Sequence, residues 1–560
     1  MRCGVSLTLV LLFLFAFVPP ASAAVEANPV VRVGLYYGAD AMPAANLQNF
    51  AGAGYRFGYF DASRNFWQVY STTEEKITVV KNTNVYLSGG TYSDTAGGAL
   101  VGAFHVDTGQ QFADFPGAWA YTDSLRANGL PAFAVFLGGT WGVRVGSYAS
   151  SQDAAAAVSS LGISGGFAAT GSNRCVSVVI TGTTDIIFQY DGGTSSHLAV
   201  WPGLADTPEP LTWFKGYKYY GAFEYIRADG KNLTVINVLR MQSYIKGVIP
   251  YEMSPSWPLE ALKAQALCAK SYAARNLNRH KNAGFDLCTT TDCQVYKGAN
   301  AASNVSDAAV DETYGMYLTH AGEMCNAVYH SSNGGYTENS ENVWLEAIPY
   351  LRAVPDPYED LARVTNGIWH TTYTNASVRD ILRDKGYNIG SVSNVFIEEF
   401  TQAGNVLKLA VVDGNGSKLI FPREQARLIL NSPSRSLNIY SMRYSIGSPG
   451  SASLYVQGAS APTGKSSAAG LYTISRDGVS ALMPDLSNVS ILAASGFASV
   501  PQEAASIPSV PGVYEIYGRG WGHNVGMSQW GARGMAERGF GYDQIVRHYF
   551  TGVEVAMGAS

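Results

Sequence analysis

GVIPYEMSPSWPLEALKAQALCAKSYAA, residues 247 to 274, carries the reading of the fold. Pro258 stands where a first helical turn begins and Glu260 follows just behind it, the order that helix starts prefer. Leu259, Leu262, Ala266, Ala269 and Ala273 recur at spacings of three and four, so the segment reads as a long amphipathic helix with one buried stripe. Lys263 and Lys270, seven apart, share a neighbouring face. The residues before the Pro-marked turn read as an extended lead-in holding one acid, Glu252, between Pro250-Tyr251 and Met253. An apolar and aromatic setting raises a carboxyl pKa, which a general acid working near neutral pH requires.

Three further blocks lie C-terminal to this stretch. In HKNAGFDLCTTTDC (280–293), two thiols five apart and an imidazole eight residues upstream can close three corners of a tetrahedral zinc site. Outside the cytoplasm the same pair, Cys288 and Cys293, suits a disulfide equally well. The block SSNGGYTENSENVW (331–344) has a glycine pair for a tight turn, and its exposed amides suit sugar hydroxyls. Ser331, Ser332, Gly334, Gly335 and Thr337 are therefore candidate cleft residues, each with a plain hairpin turn as the alternative. In GRGWGHNVGMSQWGARGMAERG (518–539), His523 lies between glycine turns, and Ser528, Gln529 and Trp530 precede a helix over 532–537. An indole can stack on a pyranose face, so His523, Ser528, Gln529 and Trp530 are candidate substrate contacts. His548 and Tyr549 read as core.

At 560 residues the chain exceeds what one core holds. A net charge of −5 leaves no electrostatic footprint for nucleic acid. Residues 1–24, with Arg2, an apolar run and Ala21-Ser22-Ala23, read as a cleaved secretory signal peptide, placing the mature chain outside the cytoplasmic membrane. Five cysteines then remain, an odd number that argues against a full disulfide framework, and Cys268 and Cys325 sit in core patterns.

Residues 25–98 read as a β-rich segment, either separate or part of the core, with a strand at 30–37 and a hairpin at 54–70. Residues 99–200 alternate strand, helix, strand, strand, helix, strand, with Ser151 as N-cap of the second helix. Residues 201–212 are a Pro-rich linker. The remainder, 213–560, is the main body. It has a strand and short helix over 360–385, strands at 393–400, 405–413 and 416–421, a helix at 423–430, and a Ser/Ala/Gly-rich insertion at about 447–510.

GVIPYEMSPSWPLEALKAQALCAKSYAA, CTTTDCQVYKG (288–298), YHSSNGGYTENSENVW (329–344) with PYLRAVPD (349–356), and the block at 518–539 together resemble the stage II sporulation protein D family, which includes amidase enhancers. The segment around GGTWGVRVGSYASSQDAAAA resembles a sporulation-related repeat (SPOR) domain. The implied fold is α+β: a β-rich sporulation-protein-D-like core with a long catalytic helix, plus a small SPOR-like domain at 99–200 that binds glycan strands.

The family resemblance implies a secreted or wall-associated peptidoglycan lytic transglycosylase acting on strands stripped of stem peptides. Glu252 falls at the position of the catalytic glutamate. Lys263 and Lys270 would orient it or bind substrate, with Lys270 where relatives commonly have Arg. His280, Cys288 and Cys293 fall on a structural zinc set, with water or Asp292 as fourth ligand. Gln242-Ser243 replaces the family's usual acidic pair. The alternative that the resemblance implies is a non-catalytic enhancer that binds glycan and positions a cell-wall amidase or another sporulation protein; a purely structural wall-binding protein is the third reading.

Overall fold

The computed structural model describes residues 26–49, 53–194, 196–203, 210–447 and 511–558, together with the backbone of six short strands between Leu454 and Ser499. The signal-peptide reading and residues 204–209 of the expected linker lie outside the described residues. The chain is mixed α and β and strand-rich.

Two large sheets carry the N-terminal half. The first has seven strands in the order Leu287–Cys288, Val30–Tyr36, Leu233–Arg240, Ala222–Arg227, Leu198–Pro202, Tyr55–Phe60 and Phe66–Thr72. Val30–Tyr36 thus sits between the strand that enters the 247–274 stretch and the strand that follows it, and the N-terminal segment shares a sheet with the main body. The expected hairpin at 54–70 is present. Asp61 closes its turn by accepting from Asn65 N–H at 2.8 Å and from the Trp67 indole at 2.9 Å.

The second sheet has ten strands. At one end Phe104–Phe112, Ala132–Phe136, Trp141–Tyr148 and Phe167–Thr170 form a βαββαβ unit with helices Phe115–Ala127 and Ser151–Ser160. In chain order its strands lie 4-1-3-2 across the sheet. Ser150, one residue before the expected position, caps the second helix by accepting from Asp153 N–H. The sheet does not stop there, because Ile186–Tyr190 pairs in parallel with Ala132–Phe136 and extends it. One face packs into the main core through Val106, Ala134, Val143 and Phe188. On the other, Phe133 and Val179 meet Val85, Tyr92 and Val101 of a small sheet. Beside them Arg144 pairs with Asp107, the Gln189 carbonyl accepts from Arg144, and the Gln189 amide meets Asn82, Ser177 and His105.

The expected extended lead-in is helical instead. Met241–Lys246 and Ile249–Glu252 form two short helical segments, and Pro258 caps the helix Leu259–Arg275. This helix is buried almost all the way round, from Ala261 to Ala273, rather than along one stripe. Small side chains at Ala261, Ala264, Ala266, Ala269 and Ala273 allow neighbours to approach on every side. Truncating Leu262 or Leu267 to Ala there would cost about 2–5 kcal/mol.

A second core lies between the SSNGG block and the last motif. Strands Ile368–Thr374, Val513–Arg519 and Tyr444–Gly447 form one sheet, Val392–Phe400, Val406–Asp413 and Lys418–Pro422 another, and both pack around Val378, Ile381, Leu409 and Ile516. Thr374 caps helix Asn375–Asp384 with a reciprocal capping box, as the Thr-Asn-Ala-Ser sequence invites. In the expected insertion the described backbone forms three hairpins.

Burial of the long helix decides the fate of Lys270. The residue is 1% exposed and donates to Thr313 O and Thr313 Oγ1, and burial lowers its pKa to about 7. The unfolded chain keeps this proton to about 10.5 and the folded chain only to about 7, so the unfolded state binds more protons between those values. The residue's contribution to stability therefore rises with pH across that window. In urea unfolding, the stability of the natural protein relative to Lys270→Met is expected to increase from pH 7 to pH 10. A pH-independent difference would contradict this placement.

Candidate active site

Four separate motifs meet at Glu252. Its Oε1 accepts from Val295 N–H at 3.2 Å and its Oε2 from Gln529 Nε2 at 3.3 Å. Tyr329 lies beside it, and its hydroxyl donates to Gln294 Oε1 at 2.9 Å. Burial raises the Glu252 pKa, and the bonds from Val295 and Gln529 pull it part of the way back. The outcome is a carboxyl that holds its proton to higher pH than a solvated glutamate, and Glu252 itself makes no ion pair among the described residues.

Backbone pairing explains the convergence. Tyr329–His330 pairs in parallel with Met527–Ser528, and Ser332 forms an antiparallel bridge with Trp521. The SSNGG block and the last motif are thereby stitched together, which sets Tyr329 and Gln529 on the same carboxylate. The helix of the last motif begins earlier than expected. It spans Gln529–Glu537, and Ser528 is its N-cap, accepting from Gly531 N–H at 3.1 Å.

Several expected contacts have other partners. Lys263 is paired with Glu260 and Glu312, and Lys270 is the buried residue described above, so neither lysine is brought to Glu252. Ser332, Gly334 and Ser528 all donate to Glu359. Thr337 is fully buried and exchanges hydrogen bonds with Val354, and the Ser331 carbonyl accepts from Trp530 N–H at 3.1 Å. Gly334 and Gly335 have φ of +73° and +114°, so this turn requires glycine. Gly335 N–H closes it onto Asn333 Oδ1 at 2.7 Å. His523 Nδ1 accepts from Val525 N–H at 3.1 Å, its ring lies 5.1 Å from Trp344, and burial pushes its pKa down to about 3.

Trp530 faces Trp257 at 4.8 Å between ring centres, with the Arg533 guanidinium over both indoles. Trp257 stands five residues past Glu252 in SPSWP, a stretch whose sequence reads only as a turn. Sequence reasoning also misses Gln294, Tyr329 and Glu359. The first two lie inside quoted motifs, but their roles depend on long-range contacts that no local pattern encodes. Glu359 lies three residues past the quoted PYLRAVPD segment.

The His280, Cys288, Asp292 and Cys293 side chains offer ligand atoms that all lie within 4.8 Å of one another. His280 Nε2 is 3.3 Å from Cys293 Sγ and 3.4 Å from Asp292 Oδ2. Both thiols are free rather than joined as a disulfide. The Cys293 thiol and nearby His280 hold Cys288 down at about 5, favouring a thiolate. This donor set fits a tetrahedral divalent ion. The cluster leads directly into Gln294 and Val295, which hold the surroundings of Glu252.

Residues 229–320, the span containing Glu252, the long helix and the thiol cluster, match the family model described as "Stage II sporulation protein". The match supports the stage II sporulation protein D family. The chain is 28% identical over 341 residues to an uncharacterized protein of Brachyspira hyodysenteriae, covering 61% of this chain and 73% of that one. It is 29% identical over 318 residues to the Amidase enhancer of Bacillus subtilis, covering 55% of this chain and 39% of the relative. Similarity to Stage II sporulation protein D of the same organism is 26% over 341 residues, covering 58% and 76%. Gln242, at the family's usual acidic pair, donates to Val310 O and Asp311. Gln242 thereby ties helix Met241–Lys246 to helix Asn304–Asp311.

Tyr329→Phe removes the only hydroxyl donating to Gln294 Oε1 among the described residues. It is expected to lower stability by about 1–3 kcal/mol in urea unfolding, the cost of an orphaned buried acceptor. Unchanged stability would contradict the network.

Proposed function

We propose that the protein is a peptidoglycan lytic transglycosylase acting on glycan strands stripped of stem peptides, with Glu252 as its general acid and base. The observation that carries this reading is the buried Glu252 carboxyl, its pKa raised by burial and its two oxygens each held by an N–H donor from a different motif. Two-carboxylate glycosidases need a second acid across the scissile bond; here one suffices. Glu252 gives its proton to the glycosidic oxygen as the C1–O bond breaks. The carboxylate then takes the proton of the same sugar's C6 hydroxyl as that oxygen closes on C1. The products are a 1,6-anhydro end and a free hydroxyl, no water is consumed, and the nucleophile is already in place. The paired indoles are suited to stacking on sugar rings and Gln529 to keeping the carboxylate oriented, whereas the wall outside the cytoplasmic membrane is the place of action.

A second reading is a glycan-binding enhancer of a cell-wall amidase, favoured by similarity to a relative named Amidase enhancer. For the segment read as SPOR-like, one face of its sheet packs into the core and the other meets the Val85–Val101 sheet and a polar network around Gln189. We therefore assign glycan contact to the surroundings of Glu252.

We assign zinc to His280, Cys288, Cys293 and Asp292, where it would pin the loop that presents Val295. The ion supplies structural cross-linking only; proton transfer belongs to Glu252.

Mass analysis of stripped peptidoglycan incubated with the protein is expected to show anhydro-ended fragments, and Glu252→Gln to reduce them at least about 100-fold. Binding without cleavage by both proteins would move the assignment to the enhancer. Metal analysis is expected to give one zinc per chain, lost in Cys288→Ser, with a lowered melting temperature on chelation. A Cys288–Cys293 disulfide in the purified protein would overturn the zinc assignment.

A further inference from the structure

The Glu359 carboxylate is gripped from both halves of the site. One oxygen accepts from Asn333 N–H at 2.7 Å and from the Ser528 hydroxyl. The other accepts from the Ser332 hydroxyl and from Gly334 N–H, both at 2.9 Å. Glu359 forms no ion pair among the described residues; burial and neighbouring Asp356 raise its pKa to about 7, and the hydrogen bonds from Ser528, Asn333 and Ser332 act against that rise. Next to it, buried Asp356 accepts from Asn333 Nδ2 at 2.8 Å and from the Tyr549 hydroxyl at 2.7 Å, fixing the same turn from behind.

The grip has a direction. Ser528 uses its hydroxyl proton on Glu359 and its lone pair on Gly531 N–H, so the carboxylate reaches the first turn of the helix through the cap. The next residue in the chain is Gln529, whose amide donates to Glu252 at 3.3 Å. A chain of contacts therefore runs from the glycine turn through Glu359, the Ser528 cap and Gln529 to the carboxyl proposed to do the chemistry.

We propose that Glu359 is a positioning residue for Glu252. It locks the Ser332–Gly334 turn to the capped start of helix Gln529–Glu537 and so holds the Gln529 amide on the Glu252 carboxylate. The role assigned to Glu252 rests on the function proposed above, but the contact itself does not, and the test reads Glu252 directly. A purely structural role for Glu359 would change stability while leaving the ionisation of Glu252 where it was.

Carbodiimide with an amine labels protonated carboxyls, and peptide mass analysis of the full chain across pH gives the midpoint at residue 252 without any turnover. Failure of this proposal and failure of the proposed reaction are thereby distinguished. The Gln529 bond favours ionised Glu252, so its loss raises the midpoint. Glu359→Gln and Gln529→Ala are each expected to raise it by about half to one pH unit, the shift that one hydrogen bond to a carboxylate supports. The double variant is expected to go no further than Gln529→Ala alone, because the two residues act through one bond. A midpoint unmoved by Glu359→Gln, or additive shifts in the double variant, would overturn the proposal. If Glu359→Gln does not fold, Ser528→Ala cuts the same chain from the helix side; a raised midpoint supports the assignment and an unchanged one overturns it.

Discussion

Burial of the helix Leu259–Arg275 on all sides is the constraint from which the rest follows. Its seventeen residues are surrounded by short helices, strand Met316–His320 and the last two helices of the chain, and its alanines let these neighbours come close. Elements far apart in sequence are thus brought against one scaffold. Glu252 lies just ahead of that scaffold, after two short helical segments, while its hydrogen-bond donors come from residues 295 and 529. The site is assembled by tertiary packing around a rigid helix rather than by any single loop.

The same burial sorts the polar residues by role. A lysine inside the packed helix titrates low and serves Thr313, while Lys263 at the helix margin is satisfied by two surface glutamates. Glu338 shows how the second core is tied in. Its buried carboxylate accepts from Asn339 N–H, Asn342, Thr401 and Asn405, and Asn405 in turn accepts from Asn524 in the last motif. Charge at Glu338 and Glu359 is held by hydrogen bonds from neutral groups, and Glu252 likewise has no ion pair among the described residues.

Much of this is legible in the sequence, for reasons that differ by element. The long helix, the aromatic hairpin, the βαββαβ order and the capped helix at Asn375 announce themselves through periodicity, turn residues and caps, all local signals. The raised pKa of Glu252 follows from its apolar neighbours. The lead-in reads as extended because Pro250 and the aromatic Tyr251 disfavour an isolated helix, and only packing offsets the cost of its two short turns. Lys270 escapes the sequence because a seven-residue spacing indicates a shared face but not what covers it. Glu359 and Trp257 are invisible for a related reason: each acquires meaning from residues more than a hundred positions away.

The central claim is that one buried glutamate cleaves the strand using the sugar's own hydroxyl as nucleophile. Reaction in water enriched in oxygen-18, with mass analysis of the fragments, tests it most directly. Intramolecular closure predicts new ends that are 18 mass units lighter than reducing ends and carry no oxygen-18. One heavy oxygen at each new reducing end would show that water attacks C1, and would contradict the one-carboxylate mechanism.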